Sequence, residues 1–261
     1  MSYSITDLGG VFGVTTTSIS LSGLTVPAGS LICALAQCNG DVPASFSITD
    51  GAGNIYGQIG TLLPNGAATA NGALYYVWNC AALSGASISF SHGSANNFGC
   101  SLSAFYATGV LAASDPHDAG VDVVTTGSGT SESCTSGAPA GANELFVAAS
   151  CYWSDSTFNQ DTGHGWGAPF TPVHNSLVTM GSAGGTLINV GSGAKTYAPT
   201  TAAGVQWAVR VAAFKPASEV FVPYAPMQQL GPILAQCRAI GRSFSGWRKR
   251  RSGLLTPAWS M

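Results

Sequence analysis

The sequence predicts an all-β fold, and three observations support that prediction. From residue 2 to residue 214, apolar and polar residues alternate in short runs, with the period of two that places one face of a strand against a core. Clusters of turn residues separate these runs, and the chain contains 34 glycines and 13 prolines. Helical periodicity is absent from the same region. Hydrophobic residues make up 46% of the chain, so there is ample material for a buried core.

The first half of this region contains a series of short predicted strands. The turn that leads into the second strand is Val26-Pro27-Ala28-Gly29-Ser30, and Asp50-Gly51-Ala52-Gly53-Asn54 has the residues of a hairpin turn. In two of the strands the apolar side chains share one face: Leu74, Tyr76, Trp78 and Cys80 in one, and Cys100, Leu102, Ala104 and Tyr106 in the other. The predicted strands cover residues 14–22, 31–36, 46–49, 74–80, 86–90 and 100–106.

The second half begins with a connection over residues 108–142, which is poor in large apolar residues and whose length indicates a crossover between two sheets. Residues 145–153 are apolar on both faces, which is typical of a central strand. Residues 205–214 close the region, with Val205, Trp207, Val209 and Val211 facing one way. Weaker strands are predicted at 121–125, 177–180, 186–190 and 195–197. Roughly ten to thirteen strands predict a two-sheet antiparallel β-sandwich of jelly-roll type.

Charged residues are scarce and unevenly distributed. Only 8% of the chain is charged, against about 25% in an ordinary soluble domain. Residues 1–216 carry ten acidic and three basic residues, a net charge of −7, whereas residues 217–261 carry one acidic and six basic residues, a net charge of +5. The sequence therefore predicts a β-sandwich domain over 1–216 and a C-terminal docking tail over 217–261, Pro-rich at first and then basic.

The predicted tail has no core of its own. Gly231-Pro232 indicates the start of a short helix that is not stable alone in water, so the tail is extended and only partly helical. We expect docking on a neighbouring subunit to order it. The cluster at residues 248–251 has few charges and one interleaved aromatic, so nucleic acid is the less favoured partner. The residues predicted to dock are Ile233, Leu234, Ile240, Trp247, Arg248, Lys249, Arg250, Arg251 and Trp259.

No apolar run approaches the length of a membrane-spanning helix, and the first residues lack the basic and apolar regions of a secretion signal. We therefore expect synthesis in the cytoplasm and no membrane partner. The chain has seven cysteines, without Cys-x-x-Cys or zinc-finger spacing, so a metal site is not predicted. Cys80, Cys100 and Cys151 lie in apolar runs and are expected in the core. Cys134 and Cys237 are candidates for an intermolecular disulfide.

Other candidate sites have simpler interpretations. Asp115-Pro116-His117-Asp118 with Asp122 has the ligands of a divalent-ion site, but a polar Asp-Pro turn explains the same residues. Asp161, His164 and Trp166 offer the parts of a sugar subsite, although a surface loop is the favoured interpretation. Trp153 and Trp166 are the candidate glycan contacts. No nucleophile elbow, phosphate loop or paired glutamates appear, so no catalytic residue and no cofactor are predicted.

Four segments carry a resemblance to a known class of proteins: residues 24–30 before a strand, 48–54 at a hairpin, 142–147 entering a central strand and 207–216 at the close. The sequence resembles the β-sandwich structural proteins of phage virions, of the head decoration or fibre type. The resemblance covers about residues 20–216 and implies no catalytic residues.

This resemblance implies a non-enzymatic component of a virion. A capsid decoration or cement protein, or a head fibre, anchored by its tail, is the leading expectation. Its partners would be other virion proteins and further copies of itself. A carbohydrate-binding or receptor-binding module of a tail or adhesion apparatus is the alternative, and a depolymerase with a carboxylate pair in a cleft is a third class.

Overall fold

The computed structural model describes residues 3–13, 16–40, 46–64, 70–92, 97–153, 170–173, 187–198 and 200–217. This part of the chain forms strands and no helix, so the predicted all-β class is confirmed. None of its elements is a helix suited to crossing a membrane. The strands are β1 Ser4–Gly13, β2 Ser18–Val26, β3 Leu31–Gly40, β4 Ser47–Asp50, β5 Gly57–Gln58, β6 Leu63–Pro64, β7 Ala70–Val77, β8 Leu83–Ser91, β9 Asn97–Thr108, β10 Val123–Ser131, β11 Cys134–Thr135, β12 Glu144–Trp153, β13 Thr171–Pro172, β14 Leu187–Gly191, β15 Thr196–Tyr197 and β16 Thr200–Phe214.

Internal contacts divide the chain into two units, Met1–Ser218 and Glu219–Met261. All of the described strands belong to the first unit. The second unit lies outside the described residues, so the predicted docking tail and its short helix stay predictions.

The strands form four antiparallel sheets. The six-stranded sheet has the order β1-β9-β3-β7-β5, with β6 also paired to β7, and the five-stranded sheet has the order β10-β16-β12-β14-β13. A three-stranded sheet, β2-β8-β4, and a two-stranded sheet, β11-β15, complete the described fold. The predicted two-sheet jelly roll is not confirmed, because the described strands are divided among four sheets. The long connection after β9 does cross from the six-stranded to the five-stranded sheet.

Three hydrophobic cores lie between these sheets. The first joins the three-stranded and six-stranded sheets, the second joins the six-stranded and five-stranded sheets, and the third joins the five-stranded and two-stranded sheets. Strand β3 explains the arrangement, because Ile32 and Ala34 enter the first core while Leu31 and Cys33 enter the second. A strand that is buried on both faces must be apolar at both parities.

The same reasoning applies to β12, the predicted central strand. Leu145 and Val147 enter the second core, and Phe146 and Ala148 enter the third. Strand β12 lies between β16 and β14 in its sheet, so its predicted central position is confirmed. On β16, Trp207, Val209 and Val211 all enter the third core, as their alternation predicts.

Two strands differ from the sequence prediction. Strand β1 was not predicted, because Gly9 and Gly10 interrupt its apolar alternation; a bulge at Gly9, which has a φ of 91°, accommodates the interruption. Strand β10 extends to Ser131, well past the predicted 121–125, because pairing with β16 stabilises residues of low strand propensity. The strand predicted at 177–180 lies outside the described residues.

Candidate functional site

A buried cluster of two cysteines and one histidine is the first candidate site. Cys38 on β3 and Cys100 on β9 are directly opposite each other in the antiparallel register. His92 follows the last residue of β8. The Cys100 Sγ donates to the Cys38 Sγ at 2.7 Å, while His92 Nε2 is 3.1 Å from the Cys100 Sγ and His92 Nδ1 is 3.6 Å from the Cys38 Sγ. Both ring nitrogens therefore face the sulfur pair.

Strand geometry explains why these three side chains meet. Cys38 has the parity of Ile32 and Ala34 on β3, and Cys100 has the parity of Leu102 on β9, so both thiols point into the first core. The backbone N–H of His92 donates to the Thr17 carbonyl at 3.1 Å and fixes the residue at the edge of the same core. All three residues are buried: the exposed fraction is 1% for Cys38, 2% for Cys100 and 0% for His92.

The surroundings of the cluster favour uncharged side chains. The hydrogen bond to Cys38 and the burial of the thiol raise the pKa of Cys100 strongly. Burial lowers the pKa of His92, so the imidazole is neutral at neutral pH, with one nitrogen donating and the other accepting. Thiol and imidazole groups are also the donors that soft metal ions prefer. Among the described residues, Cys38, His92 and Cys100 form a group of three possible metal ligands whose ligand atoms all lie within 4.8 Å of one another.

The sequence predicted that Cys100 is a core residue, and its burial confirms that. The cluster itself was missed, because its members are separated by 54 and 8 residues and form no local motif. The parity of the two strands indicates which way each thiol points. Only the non-local pairing of β3 with β9 brings them together.

The second candidate is a pair of buried carboxyl groups, Asp118 and Glu144, which share a side-chain hydrogen bond. The Asp118 carboxylate accepts from the N–H groups of Gly120 at 3.2 Å and Ala140 at 2.7 Å, and Glu144 Oε1 accepts from the Gly141 N–H at 3.0 Å. The two groups are 6% and 0% exposed, so neither faces a substrate in solution.

The two carboxyl groups have opposite pKa shifts. Burial and the neighbouring Asp118 charge raise the pKa of Glu144. Burial alone would also raise the pKa of Asp118, but the hydrogen bonds from Ala140, Gly120 and Glu144 and the charge of Lys215 hold it below its ordinary value. One proton shared by the pair therefore resides on Glu144.

The predicted divalent-ion residues do not converge on one point. Asp115 accepts from the Tyr76 hydroxyl at 2.8 Å and from the His117 N–H at 2.9 Å. Asp118 belongs to the carboxyl pair, and Asp122 forms an ion pair with Arg210 at 3.3 Å. Each carboxylate has a different protein partner, which agrees with the turn interpretation of this segment.

The remaining predicted site residues are only partly described. Trp153 ends β12 opposite Gln206, and its side chain lies outside the description. Cys134 is buried and its thiol donates to the Val123 carbonyl at 3.4 Å, so a bond to another chain requires β11 to move. Outside the described residues lie Asp161, His164, Trp166, Cys237 and all of the predicted docking residues, namely Ile233, Leu234, Ile240, Trp247, Arg248, Lys249, Arg250, Arg251 and Trp259.

No protein-family model matches the chain, and no curated protein is similar to it.

Proposed function

We propose that the chain is a non-enzymatic structural component of a phage virion, a capsid decoration or cement protein or a head fibre, anchored through residues 217–261. The jelly-roll type of the sandwich, the partly helical tail and association with further copies of the chain belong to the same proposal. The resemblance of residues 20–216 to virion β-sandwich proteins is its starting point.

The placement of charge is the observation that supports this proposal most. Among the charged side chains whose exposure the structure describes, Asp118, Glu132, Glu144 and Arg210 are buried. In the same set, only Asp7 and Asp115 are exposed. The exposed residues of the described strands are chiefly serine, threonine and glycine. Such a surface is suited to close packing against other subunits, because little charge has to be desolvated.

The edge of the five-stranded sheet supports association with further copies. Strand β10 is the first strand in that sheet's order and pairs with β16 on one side. Its sequence contains neither a charged residue nor a proline, two of the devices that keep an edge strand from pairing with another chain, and its bulge lies near the end of the strand, between Gly129 and Ser131. An edge of this kind is a suitable place for another subunit to pair.

The test is incorporation into particles. The full-length chain is supplied in trans to a phage lacking its own copy, and particles are purified on a density gradient. We expect the wild-type chain in the particles and a loss of at least tenfold for R250S/R251S, because the tail supplies the anchor. The matched control is K195S/K215S, which removes two positive charges from the body and should be incorporated normally.

Circular dichroism of each purified variant checks that the β-sheet content is unchanged. The anchoring role would be contradicted if R250S/R251S is incorporated normally and a variant that also carries R248S/K249S is incorporated normally too. Absence of the wild-type chain from particles, together with binding on a glycan array, would favour the carbohydrate-binding alternative.

A further inference from the structure

The sulfur atoms of Cys38 and Cys100 are placed for a covalent bond. The two residues are directly opposite each other on β3 and β9, and both side chains lie on the face that enters the first core. Opposed residues of antiparallel strands have Cα atoms about 4.5–5.5 Å apart, within the range of about 4.4–6.8 Å that disulfides occupy. The backbone therefore needs no rearrangement for the bond to form.

The contact between the sulfurs agrees with this placement. Their separation of 2.7 Å is well inside the 3.5–4.0 Å or so that even non-bonded carbon atoms prefer, and sulfur is the larger atom. We propose that Cys38 and Cys100 form an intramolecular disulfide. This inference concerns the body of the protein and does not depend on the virion role.

A metal ion fits the same cluster less well. A tetrahedral zinc ion with Zn–S bonds of about 2.3 Å separates its two sulfur ligands by about 3.8 Å, which is much farther than the sulfurs lie here. A histidine ligand also directs one nitrogen at the ion, whereas both nitrogens of His92 face the sulfur pair. The geometry favours the sulfur–sulfur bond.

The chemistry requires an oxidant, for which a small disulfide such as oxidised glutathione suffices. In the chain that has not yet folded, the Cys100 thiol loses its proton to the solvent, and the thiolate attacks one glutathione sulfur. A mixed disulfide forms and one glutathione leaves as a thiolate, which takes up a proton. The Cys38 thiol then loses its proton to the solvent and its thiolate attacks the Cys100 sulfur, and the second glutathione leaves as a thiolate, which also takes up a proton. Two protein thiols are oxidised and one glutathione disulfide is reduced to two thiols.

Burial determines when the bond forms and how it persists. Both cysteines and His92 are at most 2% exposed, so a glutathione molecule has no access to them in the folded protein. The exchange must therefore occur while β3, β8 and β9 are still assembling. Once the first core has closed, the same burial protects the bond from reductants.

The experiment counts thiols and maps the bond. The full-length chain is refolded with reduced and oxidised glutathione, denatured without reductant, and titrated with a thiol reagent. The sequence has seven cysteines, so the disulfide leaves five reactive thiols. A peptic digest at acidic pH, analysed by mass spectrometry, should contain a peptide pair joined through Cys38 and Cys100 that disappears on reduction.

Two serine variants provide the controls. C38S should have six reactive thiols and no linked peptides, because Cys100 has lost its partner. C80S, which removes another buried cysteine, should have four reactive thiols and keep the linked pair. Since thiols are counted in denatured protein, the controls remain readable even if a variant is less stable.

Two results would overturn the inference. One is seven reactive thiols in the refolded wild-type chain, or a linked pair that joins other cysteines. The other is one zinc ion per chain, measured by elemental analysis after refolding with zinc, that is retained by C80S and lost by C38S, which would make the cluster a metal site.

Discussion

At the scale of single residues, the Asp118 and Glu144 pair shows how this protein keeps charge in its interior. The Asp118 carboxylate accepts two backbone N–H groups, and Glu144 is the member of the pair whose pKa is raised. A buried charge with this many hydrogen bonds is tolerated, whereas an unpaired one is strongly unfavourable. As the pH falls, the first proton taken up by the pair therefore goes to Glu144.

Exchanging each member for its amide tests this assignment. E144Q resembles the protonated carboxyl group and keeps the acceptor for the Gly141 N–H, so at pH 4, where the raised pKa keeps Glu144 protonated, we expect it to change the free energy of unfolding by less than about 0.5 kcal/mol. D118N places an NH₂ group against a backbone N–H and should lose about 1–3 kcal/mol. Guanidinium unfolding of both variants measures the difference, and equal losses would contradict the assignment.

The pH dependence of E144Q follows from the direction of the Glu144 shift. Folding raises the pKa of Glu144, so protonated Glu144 contributes its full stabilisation below the ordinary pKa. That contribution is lost as the pH rises through the pKa of the folded state. Asp118 acts oppositely, because its pKa is lowered in the folded state. Its ionised carboxylate stabilises the fold above the ordinary pKa, and that stabilisation is lost as the pH falls through the pKa of the folded state. The stability of E144Q relative to wild type should therefore increase from pH 4 to pH 8; a decrease would contradict the shift.

The proposed disulfide also has a consequence for stability. A bond that closes a loop of about sixty residues typically stabilises a protein by about 2–4 kcal/mol. For a domain of this size that is a change in Tm of roughly 4–16 °C. Calorimetry should show a Tm lower by that amount for wild-type chain refolded with a reductant than for wild-type chain refolded with oxidised glutathione, and C38S should have the same Tm after either treatment. An unchanged Tm for the wild type would contradict a stabilising bond.

At the scale of elements, the spacing between the six-stranded and five-stranded sheets depends on one glycine. A Cβ on Gly72 of β7 would collide with the Sγ of Cys151 on β12. The two sheets can therefore pack this closely only because β7 has no side chain at that point. Burial also raises the pKa of Cys151 to about 12, so this thiol stays neutral between the sheets.

A double-mutant cycle tests that close approach. G72A alone should lose about 1–3 kcal/mol of unfolding free energy, because the added methyl group overpacks the second core. C151A removes the sulfur that the methyl group would meet, so G72A/C151A should be more stable than the sum of the single changes by about 0.5–3 kcal/mol. Additive losses, measured by denaturant unfolding, would show that the two residues are not in contact.

The elements also show how far sequence reasoning reaches. Alternation located most of the long strands, and the double apolar parity of 145–153 identified a central strand, because both signals are local. The pairing of Cys38 with Cys100 and of Asp118 with Glu144 depends on which strands and loops are neighbours across long sequence separations. No local pattern encodes that, so the divided sheets and both clusters required the structure.

At the scale of the whole molecule, the few charged residues are unevenly placed. Four of the charged side chains in the described body are buried, and its strands present mainly hydroxyl-bearing and small side chains outward. The six basic residues after residue 216 are then the main positive charge available to a partner. This arrangement suits the proposed subunit, which would pack by its sparsely charged body and be anchored by its cationic tail.

Non-reducing mass spectrometry of density-purified phage particles would show whether the chain is part of a particle. We predict that the chain is present in a fixed copy number relative to the capsid subunit, and that its Cys38–Cys100 peptides remain linked. A chain abundant in the infected-cell lysate but absent from purified particles would contradict the proposed function.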